Sequence, residues 1–162
     1  MTGPSPLRPI TESDISDVLR LNADHVELLS PMDEPRLRRL LQWTASADII
    51  HCDGRTAGFV LVFGPGQDYD SPNYRWFSST YGPSFAYLDR IVVDDAFRRR
   101  GLATAAYDEL ESRAKPFGRL TLEVNVEPAN EPSLAFHRQR GYREVTRLGN
   151  PEHRVGLMAK DL

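Results

Sequence analysis

The chain contains a single cysteine, Cys52, so it cannot staple itself with a disulfide or build a Cys-cluster zinc site. Lysine is nearly missing too: of 20 basic residues only Lys115 and Lys160 are lysines, a bias that carries no functional weight. There is no positive excess either. The 20 basic side chains face 23 acidic ones for a net charge of −3, which argues against a general nucleic-acid binder. No run approaches the ~18 consecutive apolar residues of a membrane span, and no membrane partner is expected. The opening Met-Thr-Gly-Pro-Ser-Pro has neither the apolar core nor the basic lead of a secretory signal, so a reducing, cytoplasmic setting is expected. Four scattered histidines show no ligand spacing, and no metal is expected. What is present is 162 residues, 40% hydrophobic and 27% charged, enough for one domain spanning 1–162 and for no second sizeable core.

Apolar periodicity predicts the elements in order. A short strand at 7–10 leads through Thr11 and the acidic residues Glu12 and Asp14 into a helix from Ile15 to about Leu29. Ser30-Pro31-Met32-Asp33 interrupts, and a second helix covers about 34–43. Strands at 47–52 and 56–63 are joined by Asp53-Gly54, a strong hairpin dipeptide, and 59–63 is apolar on both faces like a central strand. Residues 64–83, rich in Gly, Pro, Ser, Asp and aromatics, read as a long loop near an acceptor site, of the kind that often forms a lid. A strand at 85–93 precedes a helix from Leu102 to about Lys115, ended by Pro116. The segment 120–127 alternates cleanly, with Thr121, Glu123, Asn125 and Glu127 on the polar face. A helix over about 131–140 stops at Gly141, and strands at 142–148 and 154–159 close the chain around Gly149-Asn150-Pro151. The order β-α-α-β-β-β-α-β-α-β-β is an α/β layout: a central mixed, twisted sheet of about 6–7 strands flanked by about four helices.

The most informative stretch is Val92-Val93-Asp94-Asp95-Ala96-Phe97-Arg98-Arg99-Arg100-Gly101-Leu102-Ala103: strand, basic turn, glycine, small residue, helix. Unpaired N–H groups and a positive dipole end favour an anion at such a helix start, and Gly101 and Ala103 leave the backbone bare. A pyrophosphate would suit it; a solvated arginine turn is the alternative.

The spacing Arg98-x-x-Gly101-x-Ala103 resembles the acyl-CoA pyrophosphate loop of the GNAT acetyltransferase superfamily. Downstream, Leu122-Glu123-Val124-Asn125, then Asn130 and Ser133-Leu134-Ala135-Phe136-His137-Arg138-Gln139-Arg140-Gly141-Tyr142, is similar to that family's strand-Asn-helix pattern. Both motifs fall in the right order, and the element order agrees across nearly the whole chain. The resemblance implies a GNAT fold with two splayed central strands, here 85–93 and 120–126. It also implies acetyl-CoA as cosubstrate. Backbone N–H groups of Arg98, Arg99, Arg100, Gly101, Leu102, Ala103 and Thr104 would hold the pyrophosphate, with the arginine side chains screening its charge. Ile91, Val92 and Val93 would pair with the pantetheine arm, and Asn130 and Ser133 would contact the CoA arm.

The implied reaction is direct attack of an amine on the thioester, without an acyl-enzyme. Cys52, far in sequence from both motifs, reads as a packed small side chain. A lysine-like amine of pKa ~10.4 is neutral only about one part in a few thousand at pH 7, so base assistance matters more than acid assistance. Glu123 is the first candidate base and Asp89 the second; the alternatives are a structural carboxylate for Glu123 and an ion pair with a residue such as Arg90 for Asp89. His137 stands where the family usually carries a tyrosine that protonates the departing thiolate. An imidazole can take that role, or it can be structural. Tyr142 reads as core. Acceptor contacts are expected from Asn22, His25, 30–33 and the loop residues Tyr69, Asp70, Asn73 and Trp76. The expected function is an acetyl-CoA-dependent N-acetyltransferase acting on a small-molecule, peptide or protein amine. The alternative is a catalytically silent acyl-CoA sensor. A homodimer is plausible by analogy alone.

Overall fold

A computed structural model of the protein describes residues 5–26 and 29–162; the predicted continuation of the first helix across 27–28 lies outside them. Seven strands form one mixed sheet in the order β1-β2-β3-β4-β5-β7-β6, accompanied by five α-helices. The described residues divide into two compact units, Met1–Phe63 with Leu88–Arg113, and Gly64–Tyr87 with Ala114–Leu162.

In the first unit, β1 (Leu7–Pro9) pairs antiparallel with β2 (Thr44–Cys52), and β2 with β3 (Arg55–Phe63). Asp53 and Gly54 both take positive φ, 52° and 74°, as the two central residues of a type I′ hairpin require. Residues 57–63 of β3 are buried throughout, as expected of a strand with a neighbour on each side. The second neighbour is β4 (Ala86–Val93). Gly58 marks its close approach, since a Cβ there would stand 2.0 Å from the Val92 carbonyl oxygen.

Helix α1 (Ile15–Asp24) is entered through a 3-10 turn at Glu12–Asp14, where Thr11 and Asp14 form a capping box. It stops earlier than its apolar periodicity suggests, because His25 leaves helical geometry at φ −123°; Val26, counted in that stripe, is exposed. Helix α2 (Glu34–Trp43) starts on an Asp33 side chain that accepts from the Arg36 amide, and buries Leu37 and Leu40.

The second unit corrects one prediction. Residues 64–83 are not a structureless loop: Pro72–Tyr81 is a helix, α3. Pro72, which reads as a breaker, occupies the first helical turn, where its missing N–H costs nothing, and the Ser71 hydroxyl caps the Tyr74 amide. Tyr74 and Phe77 are buried and pack at ring distances of 5.5–6.2 Å on Phe85 and Tyr87. The described residues thus hold five α-helices.

Helix α4 (Leu102–Ala114) precedes β5 (Arg119–Glu127). Next come α5 (Glu131–Gln139), β6 (Arg143–Asn150) and β7 (His153–Asp161). The last turn falls at 151–152, two residues later than predicted. Strands β5–β7 and β6–β7 are antiparallel. The parallel ladder of β4 with β5 covers Ala86↔Leu120 and Tyr87↔Thr121 and then stops, although the strands are 8 and 9 residues long.

Candidate active site

The basic turn between β4 and α4 is shaped by backbone rather than by side chains. A short 3-10 turn, Asp95–Phe97, is capped by the Asp94 carboxylate on the Ala96 amide and buries Phe97. Arg99 then takes φ +63° and Gly101 φ +72°. Glycine is required at 101 for that left-handed conformation and not for clearance, since a Cβ there would meet nothing within 4 Å. The first intrahelical bond of α4 runs from Ala105 N–H to Gly101 C=O, so the amides of Leu102, Ala103 and Thr104 have no helical acceptor. No acidic residue sits in that first turn to compete with an incoming anion.

These groups open on a cavity of about 440 Å³ lined by Ile91, Val92, Val93, Phe97, Arg98, Arg99, Gly101, Leu102, Ala103 and Thr104, with His25 and Leu29. An apolar strand edge, bare amides and cations in one cavity are what a diphosphate on an apolar arm requires. The three arginines behave differently. Arg98 is committed to Asp95, Nε to Oδ1 at 2.8 Å. Arg100 does not line the cavity; it lies over the Phe97 ring at 5.3 Å, 3.9 Å from both Asp53 Oδ2 and Cys52 Sγ. Arg99 lines the cavity.

Asp89 and Arg90, also in the first unit, form a buried pair, Arg90 Nε to Asp89 Oδ2 at 2.8 Å with side chains 6 and 4% exposed. Arg90 Nη1 also donates to Asn22 Oδ1 at 2.9 Å and toward the Ser30 carbonyl at 3.3 Å. Asn22 Nδ2 donates to that same carbonyl at 3.1 Å. Asn22, predicted as an acceptor contact, is thus buried in a network that ties β4 to the start of the segment before α2.

In the second unit the half-buried Glu123 side chain accepts a hydrogen bond from the Tyr87 hydroxyl, 2.6 Å to Oε2. Tyr87 is fully buried. Sequence reasoning missed it; the available signal was its position on the strand two residues before Asp89. His137 is 5% exposed. Its Nδ1 lies 2.7 Å from the Ser133 carbonyl and 3.3 Å from the Ser133 hydroxyl. A carbonyl only accepts, so Nδ1 carries the hydrogen. The edge of Tyr142, itself buried, meets the imidazole at 5.4 Å. Asn130 caps α5, its side chain accepting from the Ser133 amide at 3.4 Å. Of the loop aromatics, Tyr74 donates its hydroxyl to the Gly64 carbonyl at 2.7 Å and accepts from the Gln67 amide at 3.0 Å. Tyr81 lies under the Arg119 guanidinium at 4.1 Å.

Residues 18–142 match the Acetyltransferase (GNAT) family. An aminoglycoside N(6')-acetyltransferase type 1 from Acinetobacter genomosp. 13 is 30% identical over 88% of this chain and 93% of its own length. Among solved structures, a ribosomal-protein-alanine N-acetyltransferase from Brucella melitensis superposes with a TM-score of 0.72 at 20% identity, covering 96% of this chain and 99% of that one. Arabidopsis thaliana NAA60 in complex with acetyl-CoA gives 0.72 at 19% identity, covering 96 and 97%. The chain belongs to the GNAT acetyltransferase family. It is an acyltransferase of that family's N-acetyltransferase kind, in which the acetyl group passes directly to an amine.

Proposed function

We propose that the protein takes acetyl-CoA into the cavity at the start of α4 and acetylates a cationic amine of a small molecule, with Glu123 as general base. The carrying observation is the Tyr87–Glu123 hydrogen bond, 2.6 Å, on adjacent strands of the sheet. A hydroxyl donated to a carboxylate favours its ionised form, the form that accepts a proton, and fixes its orientation. The amine nitrogen attacks the thioester carbonyl, the new N–C bond forms and the C–S bond breaks. The ammonium proton passes to Glu123, and the thiolate departs with its electron pair and takes the Nε2 proton of a doubly protonated His137, which is left as the neutral Nδ1–H imidazole. Asp89 is the second base candidate, held in a buried pair with Arg90. Residues 91–93 run beside the pantetheine arm, the amides of 98–104 hold the diphosphate, and Asn130 and Ser133 contact the CoA arm.

For the acceptor, the relative that matches over nearly its whole length is named for an aminoglycoside amine. Aminoglycosides are the first class to test, with peptide and protein amines as the second. The reading places the enzyme in the cytoplasm, consistent with the lone unpaired Cys52; among the described residues no helix is long and apolar enough to cross a membrane.

The test is acetyl-CoA turnover, followed as free-thiol release, against a panel of aminoglycosides, amino acids and peptides. Turnover with an aminoglycoside supports the reading. Turnover with peptides alone overturns the acceptor class, and tight acetyl-CoA binding with no transfer to any amine favours the sensor alternative.

A further inference from the structure

His25 belongs to no motif, yet it lines the same cavity as the basic turn. It is the C-terminal cap of α1, where the helix dipole favours a cation. Its Nδ1 lies 2.9 Å from the Leu21 carbonyl and therefore carries a hydrogen. Its Nε2 is buried and has no hydrogen-bond partner among the described residues; Asp95 Oδ1 stands 3.6 Å from it. A buried polar atom left unsatisfied costs stability unless something arrives to meet it. The charged groups around the ring are few. Asp95 shares its Oδ1 with Arg98. Asp94 sits 3.8 Å from Arg20, which also reaches Asp17 and Asp24 at 3.8 Å. The facing β4 residues 91–93 are apolar, and the first turn of α4 has no acid.

We propose that His25 is a further acyl-CoA-contacting residue, which takes up a proton at Nε2 as the diphosphate enters and donates that N–H to the bound anion, with Asp95 Oδ1 3.6 Å from the same nitrogen. This deepens the site reading above and rests on it. With Arg98 held by Asp95, the cavity has in Arg99 a single cation without an ion pair among the described residues, against the two negative charges of a diphosphate. A protonated imidazole supplies the second. Imidazole is the side chain that can gain that charge near neutral pH, so affinity for acetyl-CoA falls as pH rises.

Titration calorimetry of acetyl-CoA into the full chain at pH 7.5, in PIPES and in Tris, counts the protons taken up. The wild type is expected to take up roughly half a proton or more beyond H25Q, and its Kd to weaken about three- to tenfold from pH 6.5 to 8. H25Q is expected to show a flatter profile, and H25N replaces it should H25Q fail to fold. Equal uptake in variant and wild type, or no wild-type uptake, overturns the proposal; the second needs no variant. Absence of acetyl-CoA binding in every form overturns the site reading itself, and this proposal with it.

Discussion

Glu123 accepts a hydrogen bond from the Tyr87 hydroxyl, and that makes two substitutions informative together. E123Q keeps an acceptor for Tyr87 but cannot take a proton. We expect kcat to fall about 10²–10⁴-fold while the KM for acetyl-CoA changes little. Y87F leaves the carboxylate basic but loosens it, and a milder loss of about tenfold is expected. Steady-state kinetics across pH 6–9 checks both: if E123Q retains full kcat throughout, Glu123 is not the base. The arginines of the basic turn separate just as clearly. Arg99 is exposed and lines the cavity, whereas Arg100 is spread over Phe97 outside it. R99A is expected to weaken acetyl-CoA binding by roughly fivefold, the worth of about 1 kcal/mol, and R100A by much less. Calorimetric Kd values showing the reverse order would move the diphosphate to the other side of the turn.

At the scale of elements, the entry to α1 ties local order to pH. Asp14 accepts two bonds from Arg8, at 2.8 and 2.9 Å, and two from Thr11, at 2.8 and 3.0 Å. The Arg8 guanidinium first, then the Thr11 amide and hydroxyl, hold its carboxyl well below the usual carboxylate range, against a burial that pushes it upward. A depressed folded value means that the stabilisation is complete above the unfolded value of ~3.9 and is lost as pH falls below it. D14N should cost about 1–2 kcal/mol at pH 7, with the gap to wild type closing below pH 4. Urea melts at pH 7 and pH 3 decide; a gap that widens in acid contradicts the assignment. The hairpin at Asp53-Gly54, the alternating β5 and the turn before α4 were legible in the sequence because each rests on local chemistry: a left-handed φ, a period of two, a glycine before a helix. Helix α3 was hidden because Pro72 and Ser71 are loop formers by composition and helix starters by position. Tyr74, Phe77 and Tyr81 were already spaced as a helical face. Tyr87 was missed for another reason, and His25 was expected at the acceptor rather than in the basic-turn cavity: their partners, Glu123 and the 91–104 lining, lie 36 and more than 60 residues away along the chain, and only folding brings them together.

Across the whole molecule, the boundary between the two compact units falls inside elements rather than between them. It cuts β4 between Tyr87 and Leu88 and α4 between Arg113 and Ala114. Two residues of β4 and the last residue of α4 lie in the second unit, and the units are expected to unfold in one transition, as the single domain read from the sequence requires. Among the described residues, the cavity proposed for acetyl-CoA is lined by residues of the first unit, which provides the test. Trp43 lies in the first unit and Trp76 in the second, so W43F leaves Trp76 as the sole tryptophan reporter of the unit that does not line the cavity. Acetyl-CoA at about 100 times its Kd adds roughly 2.7 kcal/mol to whatever unfolds with its site, or about 5–10 °C in Tm for a chain of this size. In W43F, the Trp76 fluorescence transition should therefore rise by the same increment as the far-UV circular dichroism transition. If acetyl-CoA shifts the dichroism but leaves the Trp76 transition where it was, the two units melt independently, and β4 and α4 are hinges rather than ties.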